Sequence, residues 1–136
     1  MYLVDTNVLS ELRRPTRSHA RVSRWADSVA TGDLYVSAIT VLEIEIGCLS
    51  ISRRDKVQGA LLRDWIDAQV MPGFEGRILP VDVAVARRCA QLHVPDRRSD
   101  RDALIGATAL VHGLTVVTRN TADFEPMGVL LVNPWN

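Results

Sequence analysis

Lysine is almost absent from this chain. Lys56 is the single example among sixteen basic residues, and all the others are arginine. An arginine-favouring composition is the simplest account, although the planar guanidinium fork also suits paired hydrogen bonds to phosphate. Cysteine is nearly as scarce. Cys48 and Cys89 stand alone, with no Cys-x-x-Cys or Cys/His spacing, which argues against zinc and for a reducing compartment. Net charge is lacking altogether, so no global basic field marks a general nucleic-acid binder. No apolar run approaches the ~20 residues of a membrane helix, and a strand-like run stands at the start with no leader-type segment ahead of it. The expected compartment is the cytoplasm.

What is present is an ordinary folded composition, 47% hydrophobic and 24% charged over 136 residues. That suits one domain spanning 1–136, without repeats or linkers. Short β-type runs alternate with longer helical ones. The pattern places strands at Tyr2–Val4, Leu34–Val36, Ile78–Val81, Thr115–Thr118 and Val129–Val132. Helices are expected from Thr6 to before Arg13, and over Ser18–Ala30, Ile39–Leu49, Arg53–Val70, Val83–Leu92 and Ala103–His112, the last closed by Gly113. Strands separated by helices give an α/β fold with a mainly parallel sheet, and ligands of such sheets collect beyond the carboxyl ends of the strands.

That rim is where the carboxylates fall. Asp5 directly follows the first strand in "YLVDTN", where a helix N-cap is the plain alternative. Glu43 and Glu45 both follow the second strand, flanking an Ile39/Leu42/Ile46 face on opposite sides, and periodicity does not choose between them. Thr40 to Glu43 also matches a capping box. Asp102 opens a turn whose later neighbours are Ile105, Gly106 and Ala109, a packed, small-residue face; Ser99 as cap is the alternative there. Asp123 lies in "TRNTADF". Two carboxylates about 5 Å apart repel by roughly 3 kcal/mol at an effective dielectric near 20. A shared cation removes that penalty, and oxygen ligands without a Cys or His cluster select Mg2+ or Mn2+.

Four motifs in order, "LVDTNVLSEL", "VSAITVLEIEIG", "DALIGATAL" and "TVVTRNTADF", resemble the PIN domain, and more narrowly the VapC-type toxins of bacterial toxin–antitoxin pairs. The resemblance implies a PIN-like α/β/α sandwich and a Mg2+-dependent endoribonuclease, with Mn2+ as a substitute. It implies Asp5, Glu43 and Asp102 as catalytic metal ligands, choosing Glu43 over Glu45 through Glu43-Ile44 and Gly47. Thr6 and Asn7 correspond to the polar pair that holds ligands and water. Where many relatives carry a fourth acid directly after "TR", this chain has Asn120, with Asp123 three residues on; either is a candidate.

The resemblance also implies an RNA substrate, a homodimer, and an antitoxin that blocks the acidic cleft. A stripe of Leu61, Leu62, Trp65 and Ile66 on the Arg53–Val70 helix is the expected interface. The alternative function is a catalytically idle PIN-like module that binds RNA or protein. A dehalogenase-type phosphatase would want an acid where Asn7 stands, and a receiver domain would want a lysine after a late strand.

Overall fold

The computed structural model describes residues 1–136. Five short strands form one sheet: β1 (Tyr2–Val4), β2 (Leu34–Ser37), β3 (Ile78–Leu79), β4 (Thr115–Val117) and β5 (Leu131–Val132). Their order is β3-β2-β1-β4-β5, and every neighbouring pair is parallel. The chain builds outward from β1 on one side, then returns to lay β4 and β5 on the other. The strand order therefore reverses at β1, and a crevice opens beyond its carboxyl end.

Period-two alternation sends successive strand residues to opposite faces. Leu3 and Val116 enter one core, while Val4, Val36 and Val117 enter the other. The first core is closed by α6 (Val83–Leu92), α7 (Asp100–His112) and α8 (Thr121–Phe124). The second lies under α1 (Thr6–Leu12), α2 (Ala20–Ser28), α3 (Ala38–Ser52) and α4 (Lys56–Trp65). The result is a three-layer α/β/α sandwich. No helix is long and apolar enough to cross a membrane.

Most boundaries follow local chemistry. Gly113, at φ 67°, ends α7 in the left-handed conformation that glycine adopts without steric penalty. Several expectations need correction. The α7 helix begins at Asp100, three residues before the expected start at Ala103, so Asp102 sits inside the first turn. The expected Arg53–Val70 helix starts at Lys56, capped by the Asp55 side chain on the Gln58 N–H. It then widens into a π-helical turn, Ile66–Val70, and continues as α5 (Met71–Gly73).

The proposed interface stripe is mostly core. Trp65, Ile66 and Val70 are buried within the chain's own second core, and Leu62 packs against it. Leu61 alone points outward, with 52% of its surface exposed. The α3 face is also misplaced. Ile44 and Cys48 are buried, with Thr40 fully so, whereas Leu42 and Ile46 are exposed. Apolar residues nearly surround α3, so periodicity carried no directional signal there. The α3–α4 contact is close: a Cβ on Gly59 would stand 2.6 Å from the Cα of Ser52.

Candidate active site at the strand ends

Asp5 continues β1 by one residue, its N–H donating to the Val117 carbonyl at 2.9 Å. Its side chain does cap α1, since Oδ1 accepts from the Thr6 N–H at 2.8 Å. Capping does not exhaust it. Oδ2 accepts from the Thr118 hydroxyl at 2.7 Å and from Asn7 Nδ2 at 3.2 Å. Burial, to 5% exposure, raises the Asp5 carboxyl above the ordinary aspartate range. The Thr118 and Thr6 hydrogen bonds oppose that shift, Glu43 adds to it by repulsion, and burial wins.

Glu43 stands in the second turn of α3. Ser37 caps that helix, its hydroxyl accepting from the Ile39 N–H at 3.0 Å, so Thr40 to Glu43 is no capping box. Instead the Thr6 hydroxyl donates to Glu43 Oε1 at 2.7 Å and leans on Thr40 Oγ1 at 3.3 Å. Arg101 lies loosely against the other oxygen, Nη1 to Oε2 at 3.8 Å. Glu45 points elsewhere, gripped by both guanidinium nitrogens of Arg63 at 3.0 and 2.7 Å.

Asp102 is the least satisfied of these acids. No hydrogen-bond donor stabilises its carboxylate. Ser99 precedes the helix without a side-chain cap bond, so the capping explanation fails for both residues. Burial first, then the charges of Asp5, Asp123 and Glu43, push its pKa up to about 6. Asp100, two positions earlier, belongs to another neighbourhood: it faces His93 Nε2 at 3.4 Å and Arg97 at 3.7 Å.

The remaining candidates divide. Asn7 is fixed at both ends, donating to Asp5 and accepting from the Arg119 N–H at 3.2 Å. Asp123 is exposed but lines one cavity with Asp102 and bears on its charge. Asn120 joins the cluster through its backbone N–H, which donates to Thr118 Oγ1 at 3.0 Å. Its side chain is exposed and caps nothing. Sequence reasoning missed Thr118, which is fully buried and ties Asp5, Asn7 and Asn120 together. A hydroxyl on the last residue of a core strand was its only available signal. Arg101 was missed as well, lying between Asp100 and Asp102 with nothing to rank it.

No three carboxylate, histidine or cysteine side chains stand in a ready-made arrangement for a metal ion. A fully caged divalent site is therefore not what these residues build. The donor set is all oxygen, and both aspartates are destabilised as anions, Asp5 by burial and the charge of Glu43, Asp102 by burial and the charges of Asp5, Asp123 and Glu43. That suits Mg2+, which keeps several waters and needs only one or two carboxylates from the protein.

Residues 2–128 match the family described as "PIN domain", and the chain belongs to that family. Within the family its likeness is to the VapC-type toxins. It is 39% identical to "Toxin FitB" of Neisseria gonorrhoeae over 141 residues, covering 100% of this chain and 99% of that protein. It is 35% identical to "VapC ribonuclease Y4jK" of Sinorhizobium fredii over 140 residues, covering 99% and 98%. Among solved structures, "Crystal Structure of FitAcB from Neisseria gonorrhoeae" aligns with a TM-score of 0.91 at 38% identity, covering 100% of this chain and 99% of that one.

Proposed function

We propose that this chain is a Mg2+-dependent endoribonuclease, the toxin of a toxin–antitoxin pair, acting in the cytoplasm. The observation that carries the reading is the convergence of acids at the strand ends, where Glu43 repels the buried Asp5 and both of them repel Asp102. A pure binding module has no need of that repulsion. Relatives named ribonuclease support the nuclease reading, among them one from Sinorhizobium fredii.

Asp5 and Asp102 would hold the metal, and Glu43 would reach it through a water. When bound, the ion neutralises substrate phosphate and lowers the pKa of a hydrolytic water. Glu43, fixed by the Thr6 hydroxyl, orients the attacking water and takes its proton. Asn7 and Thr118 keep Asp5 from turning away. Water attacks phosphorus in line and the 3′ oxygen leaves, so the products carry 5′-phosphate and 3′-hydroxyl ends.

An antitoxin partner follows from the same family, several of whose solved structures are toxin–antitoxin complexes. A cavity of about 280 Å³ runs from Thr6 and Glu43 past Gly47 to Leu62 and Trp65, and suits a partner segment bringing a basic side chain to the acids. Homodimerisation would use the exposed apolar residues of α3 and α4, Leu42, Ile46, Leu49, Val57 and Leu61. The test is cleavage of mixed cellular RNA in a Mg2+ titration. Cleavage that rises with the metal supports the enzyme, and RNA binding without cleavage would instead make the chain an idle module.

A further inference from the structure

Arg13 and Arg14 follow directly on α1, and Arg13 reaches the cavity that holds Glu43. Arg13 is partly buried and lines the same cavity as Thr6 and Glu43. It also lines an adjoining hollow of about 180 Å³ with Ser10, Glu11, Arg14 and Arg17, where the Glu11 carboxylate accepts from the His19 N–H at 2.9 Å. Arginines nearer the acids are occupied: Arg101 faces Glu43, and Arg97 faces Asp100. Arg13 has no such partner. Loss of water, then the like charge of Arg14, lowers its pKa, with no carboxylate opposing either. The Arg14 guanidinium is meanwhile tethered to Gln58 Oε1 at 3.4 Å, which keeps that charge in place. A helix C-terminus favours cations, but here the α1 end is met by backbone, the Arg13 N–H donating to the Ser10 carbonyl. The guanidinium itself is left facing the cavity with its fork of donors free.

We propose that Arg13, with Arg14 and Arg17 beside it, is a binding site for a backbone phosphate of the RNA strand flanking the bond that is cut. The proposal rests on the reading of the chain as a ribonuclease. A single strand whose scissile phosphate lies at Asp5 and Asp102 continues along the cavity shared by Glu43 and Arg13, and brings its next phosphates to the arginines. The partner is phosphate rather than a protein carboxylate because three clustered cations against the single acid Glu11 leave a net positive hollow, which matches a repeating polyanion better than one acid. Such a flank also resolves a conflict in the site, since a strand of negative charge must approach a cluster of acids.

The test uses the full chain and a mixed-sequence single-stranded RNA of about twelve nucleotides, a length within common single-strand site sizes. Arg13→Ala is expected to raise KM about tenfold with kcat unchanged. In an Asp102→Asn background, anisotropy should show the Arg13→Ala form binding the same RNA about tenfold more weakly. The slope of log affinity on log salt should fall by about 0.7, the value for one phosphate contact on a single strand. Arg13→Lys, which keeps the charge and loses the fork, should fall between. Arg87→Ala, an exposed arginine on α6, should match the parent throughout. An unchanged KM and salt slope in Arg13→Ala, with wild-type cleavage intact, would overturn the phosphate site and leave the ribonuclease standing. A fall in kcat alone would overturn it too. A wild-type chain that cuts no RNA under any Mg2+ would remove the ribonuclease reading and this site together.

Discussion

The hydroxyl of Thr118 donates to Oδ2 of Asp5 at 2.7 Å, joining the ends of β4 and β1 across 113 positions of sequence. One buried hydroxyl thus aims the buried carboxylate on which the site turns. Thr118→Val keeps the shape and leaves Asp5 one donor short, a loss of about 1–3 kcal/mol for a buried charged acceptor. Activity should fall at least tenfold. Thr118→Ser should retain most of both, and thermal melts beside kcat of the two variants check the difference.

Asp102 links stability to pH in the metal-free protein. Its pKa of about 6 in the fold lies above the ordinary 3.8, so the folded state binds the proton more tightly than the unfolded one. Stability therefore declines as pH rises from about 4 through about 6, and the penalty is complete above that. Two units correspond to about 3 kcal/mol, and nearer 1 after solvent screening. Asp102→Asn should abolish cleavage yet raise the metal-free melting temperature by a few degrees at pH 7, with no gain at pH 3.5. A variant that melts lower at pH 7 would mean the carboxylate supports the helix instead.

Metal affinity should carry the same signature. Protons compete for Asp5 and Asp102, whose carboxyls are both shifted upward. The Mg2+ concentration for half-maximal activity should rise as pH falls below about 6. Asp123→Asn removes one charge bearing on Asp102 and should weaken the metal modestly, whereas Asn120→Ala should leave it near the parent value. Metal titrations at two pH values separate these cases.

Glu43 and Glu45 are two residues apart and should behave as opposites. Glu43→Gln should lose cleavage by a hundredfold or more while the fold stays intact. Glu45→Gln breaks the Arg63 pair, which is more than one-third exposed on each side, so the fold should lose little. Its activity should be nearly normal.

The layer order and the motif positions were legible because strands and helices alternate and three of the four motifs contain or follow a strand end, the fourth opening α7. The interface stripe was not. Trp65 and Ile66 are as apolar as a dimer face would be, and only tertiary packing under α4 decides that they are core. Trp65→Glu should accordingly unfold the chain, while Leu42→Glu and Leu61→Glu should be tolerated and should shift light scattering from dimer to monomer. Glu43 was separable from Glu45 only by family likeness, since α3 is apolar on nearly every side. Thr118 went unread because its role depends on a carboxylate more than a hundred residues away.

The ends of the products test the central claim most directly. Purified protein is incubated with RNA in Mg2+, in Mg2+ with excess EDTA, and as Asp102→Asn, and the fragments are probed for their termini. Hydrolysis by a metal-assisted water gives 5′-phosphate and 3′-hydroxyl ends, with no cutting in EDTA or in the variant. Fragments ending in 2′,3′-cyclic phosphate, or full activity in EDTA, would contradict the account.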